Sequence, residues 1–203
     1  LSGAFPPGEM FFVDTVRHYR SQVSDEKQRA RISGFIGQEA LHSREHERLN
    51  ELLEQRGLNA DIAEKLVDRA LRLLKRATPS QQLACTGLME HFTALLAEQL
   101  LGEDSDMRDA FDADIQDLWL WHALEELEHK AVAYDVYELA GNELQERKRA
   151  FLLVGLTVVP AILMSWIWIA IKDVQLTRPL DTIDGLWLLF GKTCFISLTL
   201  PNM

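Results

Sequence analysis

Glu39 and His42 stand three residues apart, and so do Glu126 and His129. On a helix that spacing puts a carboxylate and an imidazole on one face, a turn apart, where both can reach a common pair of metal ions. Each pair sits inside an apolar stripe. One reads Ile32, Phe35, Glu39, His42, His46, Leu49, Leu53; the other reads Phe111, Ile115, Leu118, His122, Glu126, His129, Ala133, Val136, Ala140. Every step is three or four residues, so each set shares one helix face. A lone buried carboxylate costs several kcal/mol unless it is paired, protonated or bound to a cation. Acid and imidazole groups at one level of such a stripe therefore point to a metal between them.

Two further carboxylates fit the same centre. Glu90 heads a face of small residues made by Leu83, Gly87, Ala94, Ala97 and Leu101, which lets its helix approach its neighbours. Its neighbour His91 points about 100° away by helix geometry. Glu9 has Phe12, Val13 and Val16 on its side, and its other reading is an acid of the first turn that answers the helix dipole. The chain order is then Glu, Glu-x-x-His, Glu, Glu-x-x-His, the ligand set of ferritin-like di-iron and di-manganese carboxylate bundles. His46 and His122 exceed the six ligands of that set. Each reads as a seventh ligand, a proton relay or a partner that orients a carboxylate, and both are candidate catalytic groups. Glu125 competes with Glu126, but the Glu-x-x-His spacing selects Glu126. His18 lies opposite Glu9 and reads as a surface residue.

The elements that must position these groups are all helices, since no stretch sustains strand alternation. Pro6 and Pro7 suit the start of a first helix, expected from about Pro7 to Gln22. A second runs from near Asp25 to Gly57, placed for a C-terminal cap. An inserted amphipathic helix follows from about Asp61 to Arg76, with Ile62, Leu66, Ala70 and Leu74 on one side. A third bundle helix starts after Thr78-Pro79 and stops at Gly102; a fourth extends from about Met107 to Ala140, ended by Gly141-Asn142.

The residues from Ala150 to Ile171 hold no charge, flanked by Glu146-Arg147-Lys148-Arg149 and Lys172-Asp173. That length matches a bilayer core, Trp166 and Trp168 suit an interfacial belt, and the basic cluster favours a cytoplasmic N-terminal side. The other reading is a long buried core helix, kinked at Pro160. A second apolar stretch, Gly185 to Pro201, contains Lys192 and reads as a second span, a re-entrant segment or an interfacial helix. The expected organisation is a helical bundle over residues 1–145 and apolar helices over 146–203. The cytoplasmic side of the inner membrane is the expected location, or the cytoplasm if the apolar segment is a core helix. A start at Leu1 reads as a fragment or a processed form, with no signal peptide in its first residues. A formal net charge of -10 over 203 residues argues against nucleic-acid binding. Cys85 and Cys194 form neither a disulfide framework nor a zinc knuckle. The reading allows a homodimer.

The segments Phe5-Pro6-Pro7-Gly8-Glu9, Phe35 to His46 (FIGQEALHSREH), Glu90-His91 and Trp121 to Lys130 resemble a bacterial family of predicted metal-dependent hydrolases. The resemblance extends over nearly the whole chain and implies a metal site more firmly than a reaction. His122-x-x-x-Glu126-x-x-His129 is also similar to the last helix of arylamine N-oxygenases, which are di-iron bundle enzymes; His46 departs from that pattern. Two ions, iron first with manganese or zinc as alternatives, are expected to act on a small-molecule or lipid-like substrate. Mixed carboxylate and imidazole ligands at a dry site favour oxidation with dioxygen. Hydrolysis of an ester, amide or phosphoester by two metals is the alternative that the family name favours. Metal storage or sensing is a third reading.

Overall fold

The structure, a computed structural model, describes residues 2–55, 57, 60–102, 108, 111–141 and 143–172. The stretch Gly185 to Pro201 lies outside the described residues. Among those described, the chain is helical with no strand: α1 (Phe5–Tyr19), α2 (Glu26–Gln55), α3 (Asp61–Leu74), α4 (Pro79–Leu101), α5 (Ala113–Leu139) and α6 (Leu144–Lys172). Short 3-10 turns at Ser2–Ala4 and Arg20–Gln22 flank α1.

The local signals act where expected. Thr78 caps α4 reciprocally with Gln81, with Pro79 at the first turn. Gly57 and Gly141, both at positive φ, turn the chain out of α2 and α5. The fourth bundle helix begins later than the sequence pattern implied. Asp112 accepts a hydrogen bond from the Asp114 amide and fixes the start at Ala113, so Phe111 precedes the helix.

Side-chain pairs give the direction of each helix. Down α2 and up α5 run the contacts Arg31 to Asp135, Gln38 to His129, His42 to Glu125 and His46 to His122, so these two helices are antiparallel. Ser2 meets His46 and Arg20 meets Ser33, which makes α1 antiparallel to α2. Ala97 and Leu100 of α4 pack with Ala123, Trp119 and Leu120 of α5, near the start of α5 and the end of α4. The four helices α1, α2, α4 and α5 thus run up, down, down, up. The reversal between α2 and α4 requires a crossover, and α3 supplies it. This is the ferritin-like arrangement, with an inserted helix.

The stripe that α3 buries differs by one position from the expected one. Ala63, Val67, Ala70, Leu71 and Leu74 are buried, while Ile62 and Leu66 are half-buried. The helix packs between α1 and α6 and needs a broader apolar face than a single neighbour would.

The apolar segment is part of a longer helix, α6, which passes through Pro160 without ending. Ala150, Val154, Val158 and Ala161 join the main core with Val67, Leu74 and Leu83. Its other face carries Phe151, Leu152, Leu156, Met164 and Ile167 exposed. By length and composition the helix is long and apolar enough to cross a membrane.

Candidate metal centre

Each Glu-x-x-His motif lands at the middle of its helix, facing the other three. Glu39, His42, His46, Glu90 and His129 have 0% exposure, Glu9 1%, and His122 and Glu126 3%. All eight residues singled out by the sequence therefore lie inside the bundle. Glu9 falls in the second turn of α1, because Phe5, Pro6 and Pro7 form the first, and its burial removes it from the solvent-facing role of a dipole-answering acid.

Two compact groups of donor atoms form. Glu39, His42, Glu126 and His129 place one ligand atom each within 4.8 Å of the others, and Glu9, His46 and His122 do the same. Glu126 links them. Its Oε1 lies 3.4 Å from His129 Nδ1, 3.6 Å from His42 Nδ1 and 3.0 Å from His122 Nε2. Glu39 Oε1 is 2.8 Å from His129 Nδ1, and Glu9 Oε1 is 4.0 Å from His122 Nε2. Glu90 belongs to neither compact group, but its carboxylate feels the Glu39 charge.

The outward faces of the rings fix their tautomers. His42 Nε2 lies 2.8 Å from a Glu125 oxygen, and His129 Nε2 lies 3.3 Å from Gln38 Oε1. Both partners only accept, so each Nε2 carries the proton and each Nδ1 turns a bare lone pair inward. His122 is mounted the other way round: Nε2 faces Glu126, and Nδ1 shares a 2.7 Å hydrogen bond with His46 Nε2. His46 Nδ1 is in turn 3.0 Å from Ser2 Oγ. Both His46 nitrogens thus have hydrogen-bond partners, while the ring also places one of them in the compact group with Glu9 and His122. Phe5 stacks on His46 at 4.5 Å and His42 on His122 at 4.1 Å, so the rings have little freedom.

Gln38 and Ser2 are site residues that the sequence reading missed, and Glu125, weighed there only as a rival to Glu126, meets His42 instead. A signal existed for Gln38 and Glu125. Gln38 immediately precedes Glu39 and Glu125 immediately precedes Glu126. Each reaches across to the histidine of the opposite motif, so the two helices serve each other symmetrically.

The electrostatics are those of a site lacking positive charge. Burial, then the neighbouring Glu126 charge, hold the carboxyls of Glu9 and Glu39 well above the ordinary range; burial and then Glu39 do the same to Glu90. Burial drives the imidazoles of His42 and His46 down, to about 3 and about 2. Burial opposes ionisation of Glu126, yet hydrogen bonds to His122 and His129 outweigh it and hold that carboxyl low. Burial also opposes a charge on His129, and Glu126 outweighs that too, raising the imidazole. Both oxygens of Glu9, Glu39 and Glu90, Oε2 of Glu126, and Nδ1 of His42 and His129 have no hydrogen-bond partner. His129 Nδ1 and Glu39 Oε1 are close but not aligned for a hydrogen bond; their lone pairs converge beside one another. Nine buried polar atoms without partners at one point would be a severe cost in a folded protein, and a cation relieves it. The donor set of carboxylate oxygens and imidazole nitrogens suits iron, manganese or zinc.

A helical bundle with an interior carboxylate and histidine cluster of this kind defines a class of metal-binding proteins. The chain belongs to the predicted metal-dependent hydrolase family, whose model matches residues 1–203. No curated protein and no solved structure is significantly similar to it.

Proposed function

We propose that the protein is a metal-dependent enzyme whose cluster holds two metal ions, iron in the first instance, and that it oxidises a small apolar organic substrate with dioxygen. The observation that carries this reading is the set of four buried carboxylates, Glu9, Glu39, Glu90 and Glu126, the first three of which have no hydrogen-bond partner at either oxygen. Ionised, they carry the charge that two divalent cations would neutralise. Glu39, His42, Glu126 and His129 would hold one ion; Glu9 and His122 would hold the other, with Glu126 shared and Glu90 beside Glu39. Iron bound there would supply the capacity to activate dioxygen.

The chain's own residues supply the surroundings. With metal bound, His46 Nε2 would accept a hydrogen bond from His122 Nδ1 and leave His122 Nε2, which otherwise meets Glu126, for the centre, and Ser2 holds His46 in turn. Gln38 and Glu125 do the same for His129 and His42. Burial of the whole cluster excludes water, which favours redox chemistry over attack by solvent. The exposed apolar face of α6, beginning just after Arg147, Lys148 and Arg149, supports attachment to an anionic membrane and access to substrates dissolved in it. Recovery of the protein in the soluble fraction after a high-salt wash, without detergent, would remove that part of the reading.

The second reading is two-metal hydrolysis of an ester or amide, favoured by the description of the family. Loading the protein with ferrous iron under anaerobic conditions and then mixing with oxygen separates the two. Oxygen uptake in proportion to bound iron, with a rapid optical change, supports oxidation. Inertness toward oxygen together with anaerobic ester turnover by the zinc-loaded protein would replace it with hydrolysis.

A further inference from the structure

A pocket of about 200 Å³ opens beside the cluster, on the side where the end of α4 meets the start of α5. Its walls are Phe5, Leu96, Leu100, Phe111, Trp119 and Ala123, and its floor is formed by His122 and Glu126. The rings hold one another in place: Phe111 stacks on Trp119 at 5.3 Å, and Phe5 meets Trp119 edge-on at 5.6 Å. Thr93 also lines the pocket, but its hydroxyl donates to the Glu90 carbonyl at 3.1 Å. Among the described lining residues, the charged and imidazole groups stand at the floor, nearest the centre.

We infer that this pocket seats the hydrocarbon end of the substrate, a group of about the size of one aromatic ring, with its reactive position directed at His122 and Glu126. The inference rests on the cluster being the reacting centre. Apolar cavities of about 150 Å³ stay dry and accept benzene. The volume here matches one ring with a short substituent. Among the described residues the walls above the floor carry no charged group, which suits an apolar ring. The polar floor orients the ligand, with its reactive end toward His122 and Glu126.

The test is binding of alkylbenzenes to the whole chain in mild detergent, with and without bound zinc, followed by isothermal titration and by the ring signals of Trp119. Saturable binding of toluene is expected, tightening by about fourfold for each of the first methylenes added and then levelling off. Ala97→Phe, which fills the wall, should abolish binding while leaving the number of bound metal ions unchanged. Leu100→Ala enlarges the pocket and should admit naphthalene, which the native protein excludes; it guards against misfolding of the filled variant. Metal uptake without any alkylbenzene binding would overturn the inference and leave the proposed function standing. Affinity that keeps rising through long chains, or naphthalene binding unchanged by Leu100→Ala, would equally overturn it. Toluene binding by a chain that takes up no metal would overturn the reading of the centre on which the substrate assignment depends.

Discussion

Removing metal should make the protein's stability fall with rising pH, the reverse of what metal-bound protein will do. The reasoning starts from Glu9, Glu39 and Glu90, whose carboxyls are held above their ordinary range by burial without compensation. A group whose folded value is raised contributes stability that is complete below its unfolded value, near 4.5, and is lost as pH rises through the folded value. His42 and His46 act in the opposite sense: driven down to about 3 and about 2, they contribute above about 6.5 and lose that contribution in acid. Glu126, held low, matters only below the carboxylate range. Above pH 7 the terms of His42 and His46 are constant, so the slope there comes from those carboxyls that are raised far enough to titrate in this interval and from the raised His129 imidazole. Each carboxyl still protonated in the folded state and ionised in the unfolded state lowers stability by about 1.4 kcal/mol per pH unit. One such group moves Tm by about 3–6 °C per pH unit in a chain of this size. Metal binding requires ionised carboxylates, so added metal should abolish or invert the slope. Circular dichroism melts at pH 7.0, 7.75 and 8.5, with chelator or with excess metal in the same detergent, measure both slopes. A chelated protein whose Tm is flat or rises over this interval would refute the reasoning, because its carboxylates would then be satisfied without a cation.

Other expectations follow from individual contacts. Glu126→Ala should release metal from both groups, whereas Glu9→Ala should spare the ion at Glu39, His42 and His129; elemental analysis of each purified variant distinguishes them. Gln38→Ala and Glu125→Ala each leave one histidine without its outward acceptor, so each should weaken metal affinity by about 10–100-fold in a chelator competition without changing the number bound. Leu74 is fully buried where α3 meets the core, and Leu74→Ala should cost about 2–5 kcal/mol in urea unfolding while metal stoichiometry stays as it was.

The candidate centre was legible in the sequence to the extent that helix periodicity determines it. Glu39 with His42 and Glu126 with His129 each sit in a stripe of three- and four-residue steps, and a buried stripe admits carboxylates only under compensation. Glu90 was legible from the small residues around it, and it is fully buried. What the pattern could not carry was the outward side of each ring. Gln38 and Glu125 occupy positions that on their own helices look like ordinary polar neighbours, and their role exists only because α2 and α5 run antiparallel at one register. The helix start at Phe5, which moves Glu9 out of the first turn, and the one-residue shift of the α3 stripe have similar origins. They depend on what packs alongside, which a single segment does not encode. The directions of α2 and α4, and with them the crossover by α3, likewise became visible only through contacts between helices.

The measurement that bears most directly on the central claim is the metal content of the protein, taken by elemental analysis after loading and removal of free ions, with X-ray absorption to identify the ligand atoms. Two ions per chain in an oxygen and nitrogen environment are expected. A folded chain that retains none, or whose ions persist when Glu39, Glu126 and His129 are all replaced by alanine, would contradict it.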